Sequence, residues 1–119
     1  MTELKALQKD VTLLTTLFNS RESRQVCLEE VFRVRNRWHK RTTFAEFKKL
    51  ATRVHSGPLD KRIEKNWIRI LIELTCAGDT RKKSMYSAAI TNARKAGCGP
   101  SELSNFFKKK GGIAKAAYG

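Results

Sequence analysis

The side chains in this sequence best equipped for chemistry are its cations, and they come in clusters. Arg33, Arg35, Arg37, Lys40 and Arg41 crowd one segment, and Lys48, Lys49 and Arg53 the next. Further along come Lys61, Arg62, Lys65 and Arg69, then Arg81, Lys82 and Lys83, then Arg94 and Lys95, and finally the run Lys108, Lys109, Lys110. Guanidinium and ammonium groups in such density suit the phosphate oxygens of a nucleic acid. Arg81, Lys82 and Lys83 fall at the expected start of a helix, where backbone amides already favour anions. Lys61, Lys65 and Arg69 step by four, which predicts that they line one helix face. Any single cluster is explained as well by a solvated surface; the argument rests on their number.

The other reactive types support no catalytic site. His39 and His55 stand among cations, without a neighbouring carboxylate to orient them. Glu29-Glu30 and the pair Asp60 and Glu64 are the only candidate acid pairs, and Asp60 and Glu64 lie within helical reach of Lys61, Arg62 and Lys65. The sequence contains no P-loop, G-x-S-x-G, H-E-x-x-H or dinucleotide-binding turn. Cys27, Cys76 and Cys98 are widely spaced, with no C-x-x-C, and suggest neither a zinc site nor a disulfide framework. The expectation is a protein that is not an enzyme and needs no metal or cofactor.

One stretch has the spacing of a helix-turn-helix. Such units need a small residue where the second helix approaches the first, and a glycine four residues later for the turn. Ala93 and Gly97 meet this, and Ala96, Cys98, Leu103 and Phe106 occupy the positions that would pin the second helix. Asn92 departs from the pattern, because that position is normally apolar. The second helix is expected over Pro100–Lys110, with Ser101, Glu102, Ser104 and Asn105 towards base edges and Lys108–Lys110 near phosphates. An ordinary helical hairpin obeys the same steric rules, and Glu102 is an awkward neighbour for DNA. The run Tyr86-x-x-Ala89, Ala93-Arg94-x-x-Gly97, Leu103-x-x-Phe106, Gly111-Gly112-Ile113 resembles small proteins encoded on phages and plasmids. It covers about a quarter of the chain; the resemblance implies a mobile-element setting and nothing about mechanism.

The chain has 119 residues, enough for one domain. Its net charge of +14 is uneven. Residues 1–30 hold four basic residues and five acids, whereas residues 31–119 hold 21 basic residues and six acids. Such a field draws in polyanions from a distance. No apolar run is long enough to span a bilayer, and the N-terminus lacks a secretory pattern, so the expected location is cytoplasmic, with no membrane partner.

Helical periodicity positions all of these residues. Leu4, Leu7, Val11, Leu14 and Phe18 form an a/d stripe that serves either as a core face or as the seam of a homodimer. Asn19-Ser20 ends this helix, and a second covers about 21–40, with Leu28, Val31, Phe32 and Trp38 on one side. Thr43-x-x-Glu46 is a capping box opening a third helix, with Phe44, Phe47, Leu50, Ala51 and Val54 facing inward. Gly57-Pro58 opens a fourth over 58–77, apolar enough to lie at the centre. Gly78-Asp79-Thr80 starts a fifth, and Gly111-Gly112 ends a sixth. Phe32, Phe44, Phe47, Trp67 and Phe106 fall on core stripes, while Trp38, Tyr86 and Tyr118 are freer; for Trp38 a packing role is expected ahead of stacking on an unpaired base.

The sequence therefore predicts an all-α, compact bundle of five to six short helices forming one domain over 1–119. Residues 1–19 are its N-terminal helix, 20–112 a basic helical core and 113–119 a tail. The expected function is nucleic-acid binding, DNA ahead of RNA, in transcription regulation, replication or partition. The alternatives are an RNA-binding regulator and a phage-type inhibitor docking on an acidic protein.

Overall fold

The computed structural model describes residues 2–64 and 66–118. The helices are α1 (Glu3–Phe18), α2 (Arg24–Arg41), α3 (Phe44–His55), α4 (Trp67–Thr75), α5 (Thr80–Lys95), α6 (Leu103–Lys110) and α7 (Ile113–Tyr118), with a 3-10 turn at Pro100–Glu102 before α6. Among the described residues there is no strand, and the α-helices number seven rather than five or six. The radius of gyration is 13.6 Å, close to the about 13.5 Å of a compact chain of this length.

Local side chains start the first five helices. Thr2, Ser23, Thr43, Asn66 and Asp79 each accept a hydrogen bond from a first-turn amide that has no partner within the helix. At Thr43 the capping box is complete: its hydroxyl accepts from the Glu46 amide, and the Glu46 carboxylate accepts from the Thr43 amide.

Three sequence-based boundaries move. The second helix begins at Arg24, because Ser20 bonds back to the Leu17 carbonyl and Ser23 is the cap. The fourth begins at Trp67, not Pro58. Ser56 adopts a left-handed conformation (φ 62°) and closes α3. Asp60 then accepts from the Arg62 amide at 2.8 Å and holds the following residues in a turn. Short polar side chains that bond nearby amides compete with a helix in this way, and Asn66 restarts it, accepting from the Arg69 amide at 2.7 Å. Lys61 and Arg69 therefore share no helix face, and Lys65 lies outside the described residues. The third change is that residues expected as a tail fold as α7, which buries Ala116 and Ala117.

α4 is buried almost all round and lies against α1, α2, α3 and α5, so the expected central position belongs to its nine residues. α1 buries Leu7, Leu14 and Phe18, and Leu4 and Val11 are half-buried. This stripe faces the chain's own core, which removes the reason for reading it as a dimer seam. Trp38 is also buried, donating from its indole nitrogen to Asp10 at 2.8 Å and packing on Phe47. It cannot stack on a base.

Candidate nucleic-acid interface

The cations divide into those held by acids and those that are not. Along α2, Arg33 pairs with Glu29 and Glu30, Arg37 with Asp10 at 3.4 Å, and Arg41 with Glu3 at 2.5 Å while lying over the Trp38 ring. In α4 and α5, Arg69 and Lys83 share one oxygen of Glu73, at 2.9 Å and 3.4 Å. Arg37 and Arg41 therefore tie α2 to α1 and Lys83 ties α5 to α4, while Arg33 and Arg69 pair within their own helices. Pairs this exposed along α2 are worth roughly 0–1 kcal/mol each.

The remaining acids are largely committed as well. Asp60 pairs with Arg62 at 3.5 Å. The carboxylates of Glu46, Asp79 and Glu102 accept from the Thr43, Lys82 and Gly99 amides. The bond from the Thr43 amide, followed by that from its hydroxyl, holds the Glu46 carboxyl below its ordinary value of 4.5. The bond from the Arg62 amide does the same for Asp60, below 3.8. Few carboxylates are left to neutralise other cations.

Lys40, Lys61, Arg81, Lys82, Arg94, Lys95, Lys108, Lys109 and Lys110 are exposed and make no ion pair among the described residues. Arg35 is half-buried and hydrogen-bonded to Asn36 at 2.9 Å. Burial, and then the nearby charge of Arg94, push its guanidinium below the ordinary arginine value. Unpaired cations occur along the whole chain, Lys48, Lys49 and Arg53 on α3 among them; what sets the C-terminal third apart is its lack of acids, with nine basic residues and one acid, Glu102, from Thr80 onward.

The turn expected between α5 and α6 is present. Ala93 is buried, Gly97 takes φ +86°, and the Cys98 amide donates to the Ala93 carbonyl at 3.0 Å. Only a residue tolerant of positive φ closes a helix this way. The pinning residues differ in part. Leu103 and Phe107 are buried, whereas Phe106 is half-buried under the Lys110 ammonium. Pro100 opens a 3-10 turn, so α6 has only eight residues. α6 lies mainly on α2 and α7, while α5 packs chiefly on α7. Asn92, the departure from the pattern, donates its side-chain amide to the Ala116 and Ala117 carbonyls at 2.9 and 3.1 Å. A polar residue at that position fastens the last helix.

Ser101 and Asn105 are exposed, and Ser104 is exposed with its hydroxyl bonded to Gln25 at 3.1 Å. Asn105, Lys108 and Lys109 line one shallow cleft with Cys98, Glu102 and Phe106. Cys27 and Cys76 are buried, which pushes both thiols up and makes them poor nucleophiles. Among the described residues no three His, Cys, Asp or Glu side chains gather as metal ligands, and no helix is long and apolar enough to cross a membrane. Sequence reasoning missed Asn66, Ser84, Ser87 and Thr91, which border a cationic trough beside Arg62 and Arg69. Their signal was small polar residues at helical spacing on α5, opposite a cation cluster.

Comparison with protein-family models, with curated proteins and with solved structures finds no match to this chain. Fold and surface together describe an all-helical bundle whose C-terminal third carries unpaired positive charge.

Proposed function

We propose that this protein binds nucleic acid, duplex DNA in preference to RNA, through phosphate contacts from its C-terminal third. One observation carries the reading: nine basic residues stand against one acid from Thr80 onward, and that acid's carboxylate caps the Gly99 amide. Arg81, Lys82, Arg94, Lys95 and Lys108–Lys110 are the phosphate-contacting residues. α5 and α6, joined at Gly97, form the helix-turn-helix-like part that meets a groove, with Ser101 and Asn105 nearest the bases. Ser104, bonded to Gln25, positions α6 on α2. A regulatory or replication-accessory role follows from such binding, with no catalytic step.

Titrating the purified protein against a duplex DNA, a single strand and an RNA hairpin tests this. The expected result is tightest binding to the duplex. Tighter binding to the hairpin would replace DNA with RNA, and negligible binding to all three at physiological salt would assign the charge to an acidic protein partner.

A further inference from the structure

Three depressions join end to end along α5, between that helix and the segment running from residue 60 into α4. The first is bordered by Arg62, Arg69 and Ser84 together with Asp60. The second shares those three and adds Ser87 and Thr91, and no carboxylate borders it. The third shares Asn66 and Thr91 and ends on Arg35 and Arg94, again without a carboxylate. Positions 84, 87, 91 and 94 recur at steps of three and four, so one face of α5 forms the wall. The middle depression encloses about 330 Å³, near the lower end of small-ligand sites at roughly 300–1,000 Å³.

Two features of this trough are unusual for a solvated surface. The Arg69 side chain is only 7% exposed, and its one carboxylate partner, Glu73, also serves Lys83. Arg62, Arg69 and Lys83 thus have two carboxylates, Asp60 and Glu73, between them, a cationic excess beside a nearly buried guanidinium that a further anion would offset. Ser87 is 5% exposed, yet its hydroxyl makes no hydrogen bond among the described residues. Thr12, Thr15, Thr16, Thr52 and Thr75 all return their hydroxyls to the carbonyl one turn back. No wholly buried side-chain oxygen lacks a partner among the described residues, so the Ser87 hydroxyl has its free surface in the trough it borders. Arg62, 87% exposed, stands at the rim with Asp60 as its partner. The charged groups bordering or feeding the trough are Arg35, Arg62, Arg69, Lys83 and Arg94 against Asp60 and Glu73, a cationic balance.

We propose that this trough is a phosphoryl-binding site, in which Arg62 and Arg69 hold the phosphate oxygens and Ser84 and Ser87 donate to them. Planar guanidinium groups match phosphate oxygens in pairs, and the two hydroxyls supply donors whose partners the fold leaves open. Ala88 and Ala117 keep the walls low enough for a ligand to enter. The site does not rest on the duplex-binding reading, because a free phosphate suffices as its ligand.

The test is an NMR titration of the full chain with inorganic phosphate, against chloride at matched ionic strength. The expected result is saturable shifts at the Ser84–Thr91 amides and at the Arg62 and Arg69 side-chain Nε–H groups. Arg62→Ala and Ser87→Val should each weaken the affinity roughly tenfold or more, and Ser87→Ala less, in a folded protein. Lys5→Ala and Lys9→Ala combined, on exposed positions of α1, should leave it unchanged. Repeating the titration with a mononucleotide and with a 5′-hydroxyl oligothymidylate identifies the source. A gain over inorganic phosphate with the first assigns a phosphorylated small molecule, and with the second a nucleic-acid backbone. Non-saturating shifts, or saturation unchanged in Arg62→Ala and Ser87→Val, would overturn the proposal.

Discussion

α2 and the C-terminal α5–α7 unit are both rich in cations, but their charges do different work. On α2, Arg33, Arg37 and Arg41 reach Glu29, Glu30, Asp10 and Glu3 and so fasten α2 to itself and to α1. In the C-terminal third, Arg81, Lys82, Arg94, Lys95 and Lys108–Lys110 are exposed and make no ion pair among the described residues. Cation-rich sequence thus gives three arginines paired internally in one region and an open field in the other. What separates the regions is where the acids lie, and nearly all of them lie before Thr80.

The largest expected effect sharpens this contrast. Replacing Lys108, Lys109 and Lys110 together with Ala should weaken binding to all DNA sequences alike, by about a hundredfold near physiological salt, because three phosphate contacts are lost. Arg37→Ala with Arg41→Ala should change affinity less than about twofold and instead lower stability by about 1 kcal/mol or less. Fluorescence anisotropy and urea unfolding on the same samples check both. A large loss of affinity from the α2 pair would break the division.

The second effect concerns how the C-terminal unit is held. Asn92→Ala removes the two donors to the Ala116 and Ala117 carbonyls and should cost about 1–2 kcal/mol. Hydrogen exchange should then rise in α7 and leave α1–α4 unchanged. Equal protection throughout would mean that apolar packing alone secures α7.

The smallest effect is a pH dependence confined to the N-terminal region. The folded chain holds the Glu46 and Asp60 carboxyls below their ordinary values. Their contribution is therefore complete above the unfolded values of 4.5 and 3.8 and disappears as pH falls through the lower folded values. Glu46→Gln should lower Tm slightly at neutral pH, and the difference from the unaltered protein should vanish in acid. A difference that grew on acidification would contradict the capping-box assignment.

Much of the fold was legible because its signals are local. Thr43 and Glu46 cap one helix within three residues, and Ala93 and Gly97 shape one turn. The segment from Pro58 to Asn66 misled because Leu59 and Ile63 carry helical spacing, while the side chains of Asp60 and Asn66 bind the amides that redirect the chain. Trp38 sits beside cations in sequence, but its indole meets Asp10, 28 positions away. The division of the cations was hidden for the same reason: Arg37 and Arg41 find acids 27 and 38 positions distant. Asn92 looked like an error in a motif because its partners lie 24 and 25 positions downstream. Six residues of α7 are too few to show a period, and small alanines mark its buried side.

The most direct test of the central claim is the salt dependence of duplex binding, measured for the unaltered chain, the Lys108–Lys110 alanine variant and the Arg37/Arg41 alanine variant. The account predicts a steep fall in affinity with salt for the unaltered chain, a slope shallower by about three for the lysine variant, and an unchanged slope for the arginine variant. A flat dependence for the unaltered chain, or a slope lost only with the α2 arginines, would contradict it.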